Sequence, residues 1–202
     1  MDFNYVESID NGIVIKDVIN FELPHIFDCG QCFRWNRQEN GNYIGVAFNK
    51  VIEVERKEND VIIYNTNEEE FKEIWCEYFD LYRDYSTIKD ILKKDQLLKK
   101  SVEFGHGIRL LKQDPFELLI SFIISANNRI PMIKRAILNI SKNWGNELEY
   151  KGKTYYSFPN VQQLKDSTIE QLSECGVGFR AKYIYKTIQD ILRSEERRVG
   201  KE

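Results

Sequence analysis

From residue 10 to about residue 65, apolar and polar positions alternate with a period of two, in "NGIVIKD", "QCFRWN", "NYIGVAF", "KVIEVER" and "DVIIYNT". Successive side chains of a strand point to opposite faces, so this alternation predicts strands with one apolar face. Asn11-Gly12, Asn40-Gly41, Asn49-Lys50 and Asn59-Asp60 break the run with turn-prone residues, which makes it an antiparallel meander. Phe71, Ile74, Trp75, Tyr78, Phe79 and Tyr82 then recur at spacings of three and four, and predict a helix over 68–85 that covers the sheet.

Beyond "GHGIRLL" the period becomes helical. Asp114-Pro115-Phe116-Glu117 reads as a capping box with Pro115 at the first helical position. The helix that follows, Phe116 to about Ala126, is apolar nearly all round and is expected at the centre of a second domain. A next helix, Pro131 to Trp144, presents Ile133, Ala136, Ile137, Ile140 and Trp144 to the core and stops at Gly145. Ser167-Thr168-Ile169-Glu170 reads as a second capping box, its helix closing at Cys175-Gly176. A last helix over 180–192 has Tyr183, Ile184, Thr187, Ile188 and Ile191 inside. "SEERRVGKE" (194–202) carries no pattern that continues the array, and is expected to be either a non-native scar or a solvated, disordered tail.

These elements divide the chain into a sheet domain over 1–111 and a helical domain over 112–193. With 202 residues and 42% hydrophobic content, each half has enough apolar surface for a core. No stretch approaches the roughly 18 apolar residues of a membrane span, and the start, "MDFNYVESID", is acidic where a targeting peptide is basic. A cytoplasmic protein without membrane contact is therefore expected. Charge is uneven along the chain: 14 Lys+Arg face 21 Asp+Glu over 1–111, whereas 12 face 8 over 112–193. Any polyanion would meet the second half. Cys29 and Cys32 form a CxxC with no second pair, and His25 and His106 stand at no ligand spacing, so neither a metal nor a cofactor is expected. The CxxC leads into a strand rather than a helix, which argues against thioredoxin-like redox chemistry.

Two connectors carry candidate chemistry. In "SANNRIPM", Asn127, Asn128 and Arg129 follow the apolar helix directly. One reading is structural: Asn127 ends a helix and Asn128 caps the next. The other is that two amides and a cation are offered to base edges, since Asn carries donor and acceptor on one short stem. In "CGVGFRAKY", two glycines precede Phe179 and Arg180. A helix C-cap followed by a core Phe is one reading. An exposed ring able to wedge between bases, beside a helix N-terminus facing phosphate, is the other.

The stretches "CGQCFRW" (29–35), "GIRLLKQDPFELLISFIISANNRI" (107–130) and "FPNVQQLKDSTIEQLSECGVGFRAKYI" (158–184) resemble the 8-oxoguanine DNA glycosylase family, within the helix-hairpin-helix glycosylases, over residues 1–193. The resemblance implies an α+β protein: an N-terminal antiparallel β-sheet domain with covering helices, TBP-like, followed by an incomplete all-α glycosylase domain. It implies a base-excision repair glycosylase and abasic-site lyase, acting as a monomer on double-stranded DNA containing 8-oxoguanine. Such enzymes flip the damaged base out of the duplex. By the same resemblance Asn127, with Asn128, enters the vacated space. Phe179 is the wedge beside the orphaned base, and Arg180 hydrogen-bonds that base. Gly30 offers its carbonyl to the N7 hydrogen that distinguishes 8-oxoguanine from guanine.

Where eukaryotic members place a second arginine facing the orphaned cytosine, this chain has Met132. A thioether donates no hydrogen bond, so a weaker cytosine preference is expected, with Arg129 as the available substitute. The family's lysine nucleophile and assisting aspartate lie in a hairpin and helix downstream of residue 192, so no catalytic residue is expected in this chain. It reads as truncated before that hairpin and inactive, with the apolar face of 116–126 partly uncovered. The alternatives are a non-catalytic damaged-DNA-binding fragment, an alkylated-purine glycosylase from the same superfamily, and a fragment without activity.

Overall fold

The computed structural model describes residues 1–199. The chain forms two compact units, one of Met1–Gly45 with Val51–Lys112, the other of Val46–Lys50 with the chain from Gln113 onward.

The period-two segments become β1 (Val6–Ile9), β2 (Gly12–Ile15), β3 (Trp35–Arg37), β4 (Tyr43–Ala47), β5 (Lys50–Lys57) and β6 (Asp60–Tyr64). They assemble into one six-stranded sheet in the order β1-β2-β6-β5-β4-β3. The pairs β1–β2, β2–β6, β5–β6 and β3–β4 are antiparallel, with Ile13 opposite Ile63 and Val54 opposite Ile63 fixing one apolar face. Three turns work as the Asn-rich punctuation predicts, with Asn11, Gly41 and Asn49 in left-handed backbone at φ of 58°, 89° and 60°; in the fourth it is Glu58, one residue before the predicted Asn59, that turns left-handed, with φ 53°.

Between β2 and β3 lies α1 (Leu23–Phe27), opened by Pro24 in its first turn. The expected covering helix is shorter and irregular. It runs as α2 (Glu68–Glu70), a π turn (Phe71–Trp75) and α3 (Cys76–Tyr78), and α4 (Tyr85–Leu92) starts separately behind the N-cap Asp84. The π turn lets Phe71, Trp75, Tyr78 and Phe79 all point inward, while Tyr82, expected inside, is 62% exposed. Here the Trp35 indole N–H donates to the Tyr78 hydroxyl at 2.8 Å and its ring stacks 4.1 Å from Phe27. α5 (Gln96–Phe104) completes the unit's helices. Arg109 is fully buried, pairing with Asp2 at 2.8 Å and donating to the carbonyls of Phe79 and Asp80.

The second unit is built on α6 (Pro115–Ser125), α7 (Ile130–Trp144), a hairpin of β7 (Glu147–Tyr150) and β8 (Lys153–Tyr156), α8 (Ile169–Leu172), a π turn (Ser173–Val177), a 3-10 turn (Gly178–Arg180) and α9 (Ala181–Val199). Asp114 caps α6 by accepting from the Glu117 amide at 2.8 Å. The second capping box sits one residue later than its sequence signature. Thr168 and Gln171 exchange the two bonds, while Ser167 turns its hydroxyl to the Leu164 carbonyl.

α6 shows the partly uncovered apolar face expected over 116–126: Ile120, Ser121 and Ile124 are buried, while Leu118, Leu119 and Phe122 are 45%, 41% and 70% exposed. Two further expectations change. On α9 only Ile184 and Ile188 of the predicted inner set are fully buried, and Tyr183 is 60% exposed. The helix expected to close near Leu192 runs on through Val199, in keeping with the good helix propensity of Glu and Arg over 195–198. Residues 200–202, the end of the expected tail over 194–202, lie outside the described residues. No described helix is long and apolar enough to cross a membrane.

Candidate nucleic-acid interface

The helix α6 ends because Ala126 leaves the helical region for φ −56°, ψ 115°, and Asn127 turns left-handed with φ 50°. Asparagine tolerates that conformation better than most side chains. Asn128 then folds back. Its amide N–H donates to the Ser125 carbonyl at 3.2 Å, its Nδ2 to the Ile124 carbonyl at 3.0 Å, and its Oδ1 accepts from the Arg129 amide at 2.9 Å. The residue opening α7 is thus Arg129, whose carbonyl starts the helix with the amides of Met132 and Ile133; Asn128 is not its N-cap. Pro131 occupies the first turn, where its missing N–H costs nothing.

These bonds separate the two asparagines. Asn128 is half-buried and spent on closing α6. Asn127 is exposed, and its side chain has no hydrogen-bond partner among the described residues. Asn127, Asn128, Arg129 and Met132 line one open recess of about 430 Å³. Met132 is 43% exposed and the Arg129 side chain also faces outward.

The second connector is a sharp reversal. Gly176 has φ 88° inside the π turn, and Gly178 has φ 60° with ψ −137°, a combination that L side chains do not populate. The reversal leaves Phe179 68% exposed, with Tyr183 edge-on at 6.5 Å. Of the two readings of this ring, the core one fails. Phe179, Lys182 and Tyr183 border a second recess of about 570 Å³, beside Gly178 and Ser173.

Arg180 does not point outward with them. It is buried, and its guanidinium spans the two connectors: Nε and Nη2 donate to the Ala126 carbonyl at 3.1 and 2.5 Å, and Nη2 donates to the Asn127 carbonyl at 3.0 Å. Nη1 donates to the Val177 carbonyl at 3.3 Å, and the guanidinium carbon lies 4.5 Å over the Phe179 ring. The asparagine connector and the glycine connector therefore meet directly.

Gly30 belongs to the other unit. It is exposed, with φ 87°, in the loop after α1, and nothing lies within 4 Å of where a Cβ would stand. The neighbouring Gln31 braces this loop, donating to the carbonyls of Ile26 and Arg109 and accepting from the Leu111 amide.

Residues 13–119, more than half of the chain, match the family described as 8-oxoguanine DNA glycosylase, N-terminal domain. The chain belongs to the 8-oxoguanine DNA glycosylase family. Among its relatives, the N-glycosylase/DNA lyase of Saccharomyces cerevisiae is 30% identical over 190 residues, which span 86% of this chain and 50% of that protein. The crystal structure of the Clostridium acetobutylicum 8-oxoguanine glycosylase/lyase in its apo-form superposes with a TM-score of 0.95 at 62% identity, over 96% of this chain and 68% of that one. The structure of the same enzyme in complex with dsDNA containing cytosine opposite 8-oxoG gives a TM-score of 0.95 at 62% identity, over 96% and 67%. The chain spans about half the length of the curated relatives it matches.

In this member of the 8-oxoguanine glycosylase family, the sequence reading overlooked what holds the second connector. Asn139 and Asn143, four apart on α7, donate to the carbonyl and the sulfur of Cys175 at 3.1 and 3.4 Å. The visible signal was two amides one turn apart, flanking the apolar stripe of α7. Cys175 itself is inert packing: burial pushes its thiol up from the usual range, away from the thiolate.

Proposed function

We propose that the chain is the lesion-recognising and duplex-holding portion of a base-excision repair glycosylase and abasic-site lyase that removes 8-oxoguanine from double-stranded DNA by base flipping. One observation carries the reading: two connectors joined through Arg180 expose an unpaired amide, Asn127, and a bare aromatic ring, Phe179. A flipped base leaves a gap that an amide can enter and an edge against which a ring can wedge. The excess of Lys+Arg over 112–193 suits a polyanion, and the family membership and the DNA-bound relative support the same partner.

In this reading Asn127 fills the vacated space while Asn128 shapes the loop that presents it. Phe179 is the wedge, and Met132 and Arg129 face the orphaned base. The Gly30 carbonyl would accept the N7 hydrogen of 8-oxoguanine; guanine would put an acceptor there instead, leaving two acceptors face to face. The protein works as a monomer in the cytoplasm, on nucleoid DNA.

The test is binding of the 202-residue chain to duplexes carrying 8-oxoguanine, guanine or an abasic-site analogue at one position. Preference for the lesion and the abasic analogue is expected; equal affinity for all three would refute the reading. Lys182 and Lys186 are exposed on α9 and are assigned to phosphate or solvent rather than to attack on the sugar. Borohydride trapping on the 8-oxoguanine duplex checks this, and a covalent adduct with this chain would overturn it.

A further inference from the structure

We infer that Gln31 is a positioning residue for lesion selectivity: its side-chain amide fixes the direction of the Gly30 carbonyl, and with it the preference for 8-oxoguanine over guanine. The inference rests on the proposed reading of that carbonyl as the acceptor of the N7 hydrogen.

The Gly30 carbonyl and the Gln31 backbone amide belong to one planar peptide unit, so whatever holds Gln31 also limits the tilt of that carbonyl. Gly30 itself supplies no such limit. Its φ is 87°, nothing lies within 4 Å of where a Cβ would stand, and glycine has more backbone freedom than any other residue. Left alone, the peptide plane would swing, and the carbonyl would meet the lesion only after being ordered on binding.

Gln31 prevents this by standing in for a strand. Arg109 and Leu111 are buried and Leu110 is exposed, the alternation of an extended chain. In such a chain the carbonyl of one residue and the amide of the second residue after it share an edge, where a neighbouring strand would pair. The Gln31 side chain occupies that edge: its Nε2 donates to the Arg109 carbonyl at 2.8 Å and its Oε1 accepts from the Leu111 amide at 2.9 Å. Nε2 also donates to the Ile26 carbonyl in α1 at 2.8 Å, so one planar group ties the end of the helix to residues 109–111.

The mount is itself fixed from its other edge. There the Leu110 amide donates to the Tyr85 hydroxyl at 3.0 Å and the Lys112 amide to the Tyr78 carbonyl at 2.9 Å. The loop is also anchored on both sides of Gly30: two residues before it, Asp28 accepts from the Tyr43 hydroxyl, and two residues after it, Cys32 is buried. Between these anchors Cys29 and Gly30 are exposed. The residue that projects is thus the one whose carbonyl the Gln31 amide aims.

The experiment measures binding of the wild-type chain, Q31M and Q31E to duplexes carrying 8-oxoguanine, guanine or a tetrahydrofuran abasic analogue at one position. Methionine keeps the length of the side chain and has no N–H; glutamate keeps an acceptor for the Leu111 amide and loses both donors. Because other groups hold the second edge of 109–112, both variants are expected to loosen the Gly30 loop and leave the unit folded. The preference for 8-oxoguanine over guanine should fall about fivefold in each, the worth of one hydrogen bond. Affinity for the abasic analogue, which offers no N7 hydrogen, should be unchanged.

Preference kept in a folded variant overturns the inference, and so does an equal loss on all three duplexes, which a merely structural role would give. Failure of both variants to fold, read from thermal melts, assigns Gln31 to the core and overturns it too. A wild-type chain that binds the 8-oxoguanine and guanine duplexes alike sinks the Gly30 reading itself, and the inference with it.

Discussion

The Asn128 side chain donates to the Ile124 carbonyl at 3.0 Å, and this bond gives two adjacent asparagines different work. Asn128→Ala removes a group that closes α6, and is expected to cost about 1 kcal/mol of stability. Asn127→Gly removes the amide, touches no described protein partner and suits the left-handed φ of 50°. It should leave the melting temperature unchanged and weaken binding to an abasic-analogue duplex by about 1 kcal/mol, the worth of one hydrogen bond. Thermal melts and binding isotherms of the two variants check this; equal stability losses would show that the two amides are not divided in this way.

Phe179 is 68% exposed, so shortening it costs the fold little. Phe179→Ala should stay within about 0.5 kcal/mol of wild-type stability. Its affinity for the abasic-analogue duplex should fall by about 1–3 kcal/mol, the range of a ring stacked on a base. If affinity holds, the ring is not a wedge.

Met132 lines the Asn127 recess and carries no donor toward an orphaned base. Met132→Arg is expected to raise the preference for cytosine opposite the lesion by about 1–3 kcal/mol, as a bidentate contact would. Comparison of affinities against the four opposite bases reads this directly. A strong cytosine preference already present in the unaltered chain would contradict the expectation drawn from Met132.

In the first unit, Arg109 is fully buried against Asp2. Arg109→Met takes the guanidinium from the buried Asp2 carboxylate, which keeps only the Asn20 amide and the Tyr85 N–H as uncharged donors, and removes a donor from the carbonyls of Phe79 and Asp80; it should cost about 3–5 kcal/mol. Denaturant unfolding measures it. A loss below about 1 kcal/mol would mean that water reaches the Asp2 carboxylate.

Asp60 accepts from Lys16 Nζ at 2.7 Å and from the Asp17 amide at 3.1 Å, and these bonds hold its carboxyl below the ordinary value of 3.8. The folded pKa lies below the unfolded one, so the stabilisation is complete above 3.8 and disappears as pH falls through the depressed folded value. Asp60→Asn keeps an acceptor for the Asp17 amide and removes the charge. Its unfolding should therefore depend less steeply on pH below 4 than that of the wild type, by acid titration followed with circular dichroism. Identical acid profiles would count against Asp60 as a contributor.

The sheet was legible because alternation and turn residues act over a few positions: Asn11, Gly41 and Asn49 adopt the left-handed turns that their residue types favour, and only the turn before β6 is taken one residue early, by Glu58. Helix starts were legible for the same reason, from Asp114 before Pro115 and from the Thr168 region, where a register error of one residue separated Ser167 from the true cap. The π turn over Phe71–Trp75 was not, since it arises from packing four aromatic residues into one core. A partly uncovered apolar face over 116–126 was expected, but that Leu118, Leu119 and Phe122 are the exposed side chains was not legible, because an apolar period says which side chains favour burial and not what is present to bury them.

At the site, residue chemistry alone nominated both connectors, because Asn, Gly, Phe and Arg at helix ends have few conformations and distinctive hydrogen-bonding groups. Their meeting was beyond it. Arg180 and Asn127 stand 53 positions apart, and whether a guanidinium points into water or across to a carbonyl depends on where the chain returns. Local sequence thus determined which groups this protein can offer; the long-range packing of α6, α7 and α9 decided which of them are spent internally and which remain free to touch a ligand.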